Sequence, residues 1–258
     1  QGKSVVIDNT NLTENVRNRW RKLGGQYPVD IIEHEIDTPI SECVRRDKLR
    51  TGRARVGRAV IERMALFHGW VDWSETHERG KGQFIVVDVD GTLADCEHRK
   101  GYLLPRVLCE TCKISRLKNP GLQEDGCLLC GKPFTKTEKD WDSYFAAASK
   151  DKLIEPIAAL VRLLRWEGNY MPIVVSGRPI DKCGKATEDW LDKEDIDYQF
   201  LFMRQGGDHR PDTVVKQEIL DLLPKDRIAY VLDDRPSVLR MWQQNGLTTL
   251  AVGNLKEF

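Results

Sequence analysis

Asp88 and Asp90 stand two residues apart at the end of the apolar run Phe84-Ile85-Val86-Val87. A β-branched apolar run of this kind reads as a buried strand, and open α/β sheets keep their sites at the carboxyl ends of strands. Gly91 lets the chain turn there, so both carboxylates can face one cleft. Neighbouring carboxylates favour a hard cation such as Mg2+. One of them can attack phosphorus and carry an aspartyl-phosphate. The other can protonate a leaving oxygen and later deprotonate water. Taken alone, the stretch would also suit a turn with two solvated acids.

Three more places supply what phosphate chemistry needs. Val174-Val175-Ser176-Gly177-Arg178 puts a hydroxyl and a guanidinium after a strand, both suited to phosphate oxygens. Lys216 falls in the first turns of an expected helix and offers a compact positive charge. Tyr230-Val231-Leu232-Asp233-Asp234-Arg235 places two further acids after a strand, a completion of a Mg2+ shell formed by Asp88, Asp90, Asp233 and Asp234. Each has a plainer reading: a turn, a solvated lysine, a helix cap. Their order on the strands of one sheet favours chemistry.

The elements that must position these residues alternate. Strands are expected at 84–88, 172–175, 200–203, 228–232 and 248–252, and helices at 153–166, 186–193, 213–223 and 236–245. This is the pattern of a doubly wound parallel α/β sheet. Ahead of it, residues 74–83 are polar and glycine-bearing and read as a linker. Residues 1–73 show half of another α/β domain: strands at 5–7 and 29–36, a helix from a Thr13 cap to Leu23, a helix opened by Thr38-Pro39, and a helix at 56–67. Gly2-Lys3-Ser4 has the letters that end a P-loop. That loop opens a helix, however, whereas here it leads into Val5-Val6-Ile7, a strand-like run, so it reads as a turn. The domains are therefore expected at 1–73 and 84–258.

Residues 103–136 interrupt the second domain. They carry Cys109-x-x-Cys112 and Cys127-x-x-Cys130, fourteen residues apart. Two such knuckles give four thiolates for tetrahedral Zn2+, with no position left open for catalysis. A structural zinc ribbon is expected. The chain has seven cysteines among 258 residues, and the paired spacing suits a metal in a reducing compartment, hence the cytoplasm. Forty Lys+Arg balance forty Asp+Glu, so any nucleic-acid binding must come from local patches. No run is long and apolar enough for a membrane span, so no membrane partner is expected.

The constellation resembles the haloacid dehalogenase phosphatase superfamily. More narrowly, residues 84–102 and 140–253 resemble the phosphatase half of phage-type polynucleotide kinase/3′-phosphatases. The likeness rests on Asp88-Val-Asp-Gly-Thr-Leu-Ala-Asp-Cys-Glu-His-Arg99, Ser176-Gly-Arg178, the stretch from Met203 to Lys216, and Leu232-Asp-Asp-Arg235. It implies a haloacid dehalogenase-like fold with Asp88 as nucleophile and Asp90 as general acid/base. It further implies Ser176 and Lys216 at the transferring phosphoryl group, and Arg99, Arg178 and Asp212 in substrate binding or site assembly. Asp212 has the alternative of capping the following helix. The cysteine-bearing insertion lies between the strand of Asp88 and Ser176, where this superfamily carries its cap; the resemblance implies that it overhangs the site and guides a nucleic-acid end, helped by Lys113, Arg116 and Lys118.

Residues 1–73 resemble the carboxyl-terminal part of the same family's 5′-kinase, with Cys43-Val-Arg-Arg46-Asp-Lys-Leu-Arg50 matching its nucleotide-lid segment. Arg46, Arg50 and Arg53 would form one helical stripe. The P-loop part is not in the chain, so ATP is implied only for a complete kinase domain, and the expectation is a piece of a longer bifunctional bacteriophage-type enzyme. The function implied is Mg2+-dependent removal of 3′-phosphates from DNA or RNA ends. A phosphatase of small phosphate esters and a non-catalytic zinc-ribbon binding module are the alternatives; the intact acids argue against the second.

Overall fold

The computed structural model describes residues 14–34, 36, 38–73, 82–117, 126, 127, 129–134, 136–253 and 255. Gly2-Lys3-Ser4, the expected strand at 5–7, the Thr13 cap and most of the linker lie outside them.

The amino-terminal part is helical: α1 (Glu14–Gly24), α2 (Ile40–Lys48) and α3 (Arg58–Phe67). The strand expected at 29–36 is absent from described residues 29–34 and 36. Val29, Ile32 and Ile36 are exposed. Strand backbone needs a neighbour for its polar groups, and no described segment pairs with this one. The arginine stripe is also corrected. α2 ends at Lys48, so Arg50 and Arg53 lie beyond it, in a loop with a 3₁₀ turn at Gly52–Ala54. The stop has a cause: the buried Asp47 carboxylate accepts from the backbone N–H groups of Val56 (3.0 Å) and Gly57 (2.9 Å), which folds the chain back on the helix end.

The alternating part follows. β1 (Phe84–Val87) and β2 (Ala94–Asp95) precede a 3₁₀ segment, Glu97–Leu103; then come β3 (Arg106–Cys109), β4 (Ile114–Leu117), β5 (Lys136–Glu138) and α4 (Trp141–Ala146). The chain continues through β6 (Lys152–Leu153), α5 (Glu155–Trp166), β7 (Met171–Pro179), α6 (Ile180–Lys193), β8 (Phe200–Arg204), α7 (Asp212–Leu220), β9 (Ile228–Asp233), α8 (Pro236–Gln244) and β10 (Thr249–Ala251). The main sheet is parallel, in the order β10-β9-β1-β7-β8. Connections leave β1 toward β7 and leave β9 toward β10, so the strand order reverses between β1 and β9. A crevice opens at such a point, at the strands' carboxyl ends.

Both faces are covered, as the continuous apolar strands require. Phe84 and Val86 pack with Phe202, Ile219 and Trp242 on one face, and Ile85 and Val87 with Val161, Leu191 and Leu201 on the other. The insertion forms its own antiparallel sheet, β4-β3-β5.

The edge strand β8 is closed by α3. Leu201 N–H donates to Glu62 Oε2 (2.8 Å), Arg58 donates to the Gln199 carbonyl (2.6 Å), and Arg63 donates to the Met203 carbonyl (2.7 Å). The Gln199 and Met203 carbonyls and the Leu201 N–H are the groups met by α3, while the Gln199 N–H still donates to the Pro172 carbonyl of β7 (2.8 Å). Side chains of one helix thus take the place of a sixth strand, which removes an edge open to other chains.

Candidate active site

The site grows from the ends of β1, β9 and β7. Asp88 follows β1 and its N–H donates to the Leu232 carbonyl (3.0 Å), a continuation of the ladder that aims the side chain into the crevice. Asp233 closes β9 and Asp234 follows it. Carboxylate oxygens of Asp88, Asp233 and Asp234 lie within 4.8 Å of one another, and all three residues are buried. Lys216, on α7 and also buried, bridges two of them, with Nζ 2.7 Å from Asp88 Oδ1 and 2.7 Å from Asp233 Oδ2. Trp242 Nε1 donates to Asp233 Oδ2 (3.2 Å), and Arg235 N–H donates to Asp233 Oδ1 (3.1 Å).

Gly91 has φ +84°, and a Cβ there would stand 2.1 Å from Asp234 Oδ2. Glycine is therefore required both by the backbone and by the approach of this acid.

The electrostatics show what the acids lack. Burial pushes the Asp88 carboxyl well above the ordinary range; Lys216 opposes this, and Asp233 and Asp234 reinforce it. Asp234 is pushed up to about 6 by burial and by Asp233. Burial disfavours the Lys216 charge, but Asp233 and Asp88 outweigh it and raise the ammonium. Three close carboxylates face one bridging ammonium, and the nearby Arg235 is shared with Asp212, so negative charge is left over in a buried crevice. A hard divalent cation held by oxygens fits that donor set and would let all three acids ionise together.

The Asp90 carboxylate lies elsewhere. Arg99 and Arg178 both donate to its Oδ1, at 2.5 Å and 2.9 Å. Burial alone would raise this acid; Arg178 and then Arg99 outweigh that and hold it at about 2. Its side chain is therefore an arginine partner and not a fourth member of the close cluster. Ser176 is buried, and its Oγ accepts from the Arg178 N–H (3.2 Å). The β7–β8 register shifts between Ser176 and Pro179, a bulge of the kind that re-aims side chains beside sites.

Asp212 does not cap α7. It is the first helical residue, after Pro211, and its two oxygens accept from Arg204 and Arg235. A Cβ at Gly177 would come within 2.6 Å of Asp212 Oδ1, so this glycine admits the carboxylate beside Ser176.

One residue escaped the sequence reading. Asp151 is buried and bonds Arg99 twice (2.8 Å each), Arg178 NH2 (2.6 Å) and His98 Nε2 (2.8 Å). It fixes the planes of both guanidiniums, and Trp190 Nε1 donates to its carbonyl (2.9 Å). No motif marked it. The stretch Ser149-Lys150-Asp151-Lys152 reads as a polar loop.

Cys109, Cys112, Cys127 and Cys130 come together with their sulfurs within 4.8 Å of one another, and none is disulfide-bonded. The Cys109–Cys130 separation is 3.5 Å, too long for a covalent bond of about 2.05 Å. It is close to the spacing of two thiolates about 2.3 Å from one tetrahedral Zn2+. The knuckles match: Lys113 N–H donates to the Cys109 carbonyl (2.8 Å) and Gly131 N–H to the Cys127 carbonyl (2.7 Å). Both following residues have left-handed backbone, φ 57° and 68°. These features fit a four-thiolate zinc site. Lys113 is exposed, while Lys118 and the Arg116 side chain lie outside what is described.

In the amino-terminal part, Arg46 pairs with Glu42 (2.7 Å) and Arg50 lies 4.0 Å from Asp47, both arginines exposed. No described helix is long and apolar enough to cross a membrane.

Comparison with known proteins bears out the resemblance drawn from the motifs. Residues 136–256 match the family model of the polynucleotide kinase PNKP phosphatase domain, and residues 1–68 match that of an AAA domain. The strand leading to Asp88 precedes the first of these segments and is joined to it by pairing with β7 and β9. The chain is 22% identical over 259 residues to a protein of Autographa californica nuclear polyhedrosis virus named "Putative bifunctional polynucleotide kinase/RNA ligase"; the alignment takes in 96% of this chain and 31% of that one. The chain thus spans about a third of the length of that curated relative. Among solved structures it is similar to a chain of a Pnkp1/Rnl/Hen1 complex, with 23% identity over 98% of this chain and 72% of the other and a TM-score of 0.46. It is also similar to a haloacid dehalogenase-like hydrolase of Streptococcus pneumoniae, with 17% identity over 66% of this chain and 84% of the other and a TM-score of 0.41.

Proposed function

We propose that this chain is the phosphatase part of a nucleic-acid end-repair enzyme, joined to a piece of its 5′-kinase, and that it removes phosphate from 3′ ends of DNA or RNA. The observation that carries the reading is the cluster of Asp88, Asp233 and Asp234 about Lys216, set at the strand-order reversal with Ser176 and an arginine pair beside it.

In this reading Asp88 attacks phosphorus and the bond to the nucleoside oxygen breaks, giving an aspartyl-phosphate and a free 3′-hydroxyl. Lys216 and the Ser176 hydroxyl take charge from the phosphoryl oxygens. Asp90 gives the leaving oxygen its proton, then takes one from the water that releases inorganic phosphate. Arg99 and Arg178 hold Asp90 ionised in the structure described. The negative charge of an incoming phosphate beside this arginine pair would offset their pull and raise the affinity of Asp90 for a proton. Asp88, Asp233 and Asp234 would hold Mg2+, which would supply neutralisation of the charge on nucleophile and phosphate. The zinc ribbon is structural. Arg46 and Arg50 would meet a nucleotide only in a complete kinase domain, with ATP as its substrate.

The test is phosphate release from an oligonucleotide with a 3′-phosphate, beside the same oligonucleotide with a 5′-phosphate and a small aryl phosphate, in Mg2+ and in EDTA. The 3′ substrate should lead, and EDTA should abolish turnover. Turnover of the aryl ester alone would move the assignment to small phosphate esters.

A further inference from the structure

The insertion leaves and rejoins the phosphatase domain through a narrow neck, where Asp140 N–H donates to the Tyr102 carbonyl (3.0 Å). Three large apolar side chains stand exposed around it: Tyr102 (38%), Leu104 (52%) and Trp141 (45%). Scattered exposed apolar residues are ordinary. These are not scattered, and one of them begins a row of rings that leads inward. Trp141 stacks on Phe145 at 5.7 Å and 21°, and meets Tyr144 edge-on at 5.7 Å. Tyr144 is buried, and its ring lies 4.1 Å from the Arg99 guanidinium, which bonds Asp90. Trp141 is therefore one ring away from an arginine of the phosphate site, a separation on the scale of a single nucleotide. Its helix is fixed in place: α4 packs between the 3₁₀ segment bearing Arg99 and the start of α6, to which Lys182 and Asp142 pin it (2.5 Å). The exposed Lys139 brings its ammonium within 5.7 Å of the Trp141 ring. An exposed ring with a cation beside it, next to a phosphate site, is the make-up of a stacking platform for single-stranded nucleic acid.

We propose that the exposed part of the Trp141 ring, with Lys139 beside it, is the subsite for the base of the terminal nucleotide, the one whose 3′-phosphate is removed. This rests on the 3′-phosphatase reading and adds to it where the substrate is gripped. The platform accepts any base, because each has a π-face, and Lys139 serves the phosphate that links the terminal nucleotide to the one before it. No hydrogen-bonding readout of sequence is involved.

The experiment compares two oligonucleotides with 3′-phosphates, one intact and one whose terminal sugar lacks its base. The wild-type protein should favour the intact end on the order of tenfold or more in kcat/KM, mostly through KM. Trp141→Ala should erase that preference and Trp141→Phe should keep most of it. A Trp141→Ala protein that retains the wild-type preference overturns the proposal. If Trp141→Ala loses the abasic substrate as well, Trp141→Leu decides: it fills the space against Phe145 without an aromatic face. Loss of the preference in that variant supports the platform, and its retention overturns it. Failure of the underlying reading looks different, since the wild-type protein would then hydrolyse an aryl phosphate and neither oligonucleotide.

Discussion

Asp88, Asp233 and Asp234 were legible in the sequence because each ends an apolar strand, and strand ends are where a parallel sheet puts its chemistry. Asp151 was not, because its meaning depends on Arg99 and Arg178 meeting in space from separate segments. Asp151→Asn should leave Asp90 as the only carboxylate shared by the two guanidiniums. We expect a stability loss of about 3 kcal/mol, read by chemical denaturation, and a fall in kcat/KM on the 3′-phosphate substrate; an unchanged enzyme would show that the arginines need no such anchor. Gly91→Ala tests the other side of the cluster. Its left-handed backbone and the nearby Asp234 carboxylate leave no room for a methyl group. Activity should fall at least tenfold while the fold persists, and a KMg raised in the same protein would place the damage at Asp234.

At the scale of elements, the helix–strand alternation of the second half was readable from period and punctuation. Two features of the first half were not. The expected strand at 29–36 found no neighbour among the described residues, and the arginine stripe broke where Asp47 draws back Val56 and Gly57. The α3 cover of β8 was hidden for a different reason: Arg58, Glu62 and Arg63 look like a solvated charged face, and only the sheet order reveals a strand edge to satisfy. Burial pushes the Glu62 carboxyl up to about 7, against the pull of Arg58 and the Leu201 N–H. A raised carboxyl stabilises the fold fully below its ordinary value near 4.5, and this contribution is lost as pH rises through about 7. The stability difference between wild type and Glu62→Gln should therefore shift against the wild type by about 3 kcal/mol between pH 4.5 and 8. A difference that is flat with pH would contradict this. In the insertion, Lys113 holds the left-handed position that Gly131 fills in the other knuckle. Lys113→Gly should stabilise the zinc-loaded ribbon by about 1 kcal/mol, measured as a higher midpoint in a chelator titration.

For the molecule as a whole, the balanced charge of forty against forty means that, under the proposed function, an incoming strand would be drawn by local cations and not by a global field. The candidate site is a crevice at the carboxyl ends of β1 and β9, flanked by the arginine pair. The kinase-like piece does not hang beside this domain; α3 completes its sheet. The account stands or falls on Asp88 as nucleophile toward a nucleic-acid end. The most direct measurement is a rapid acid quench during turnover of an oligonucleotide carrying a radiolabelled 3′-phosphate, followed by mapping of the labelled peptide. Label on the peptide that contains Asp88, absent from Asp88→Asn, is the result expected. Phosphate released by Asp88→Asn at the wild-type rate, with no label on the protein, would contradict it.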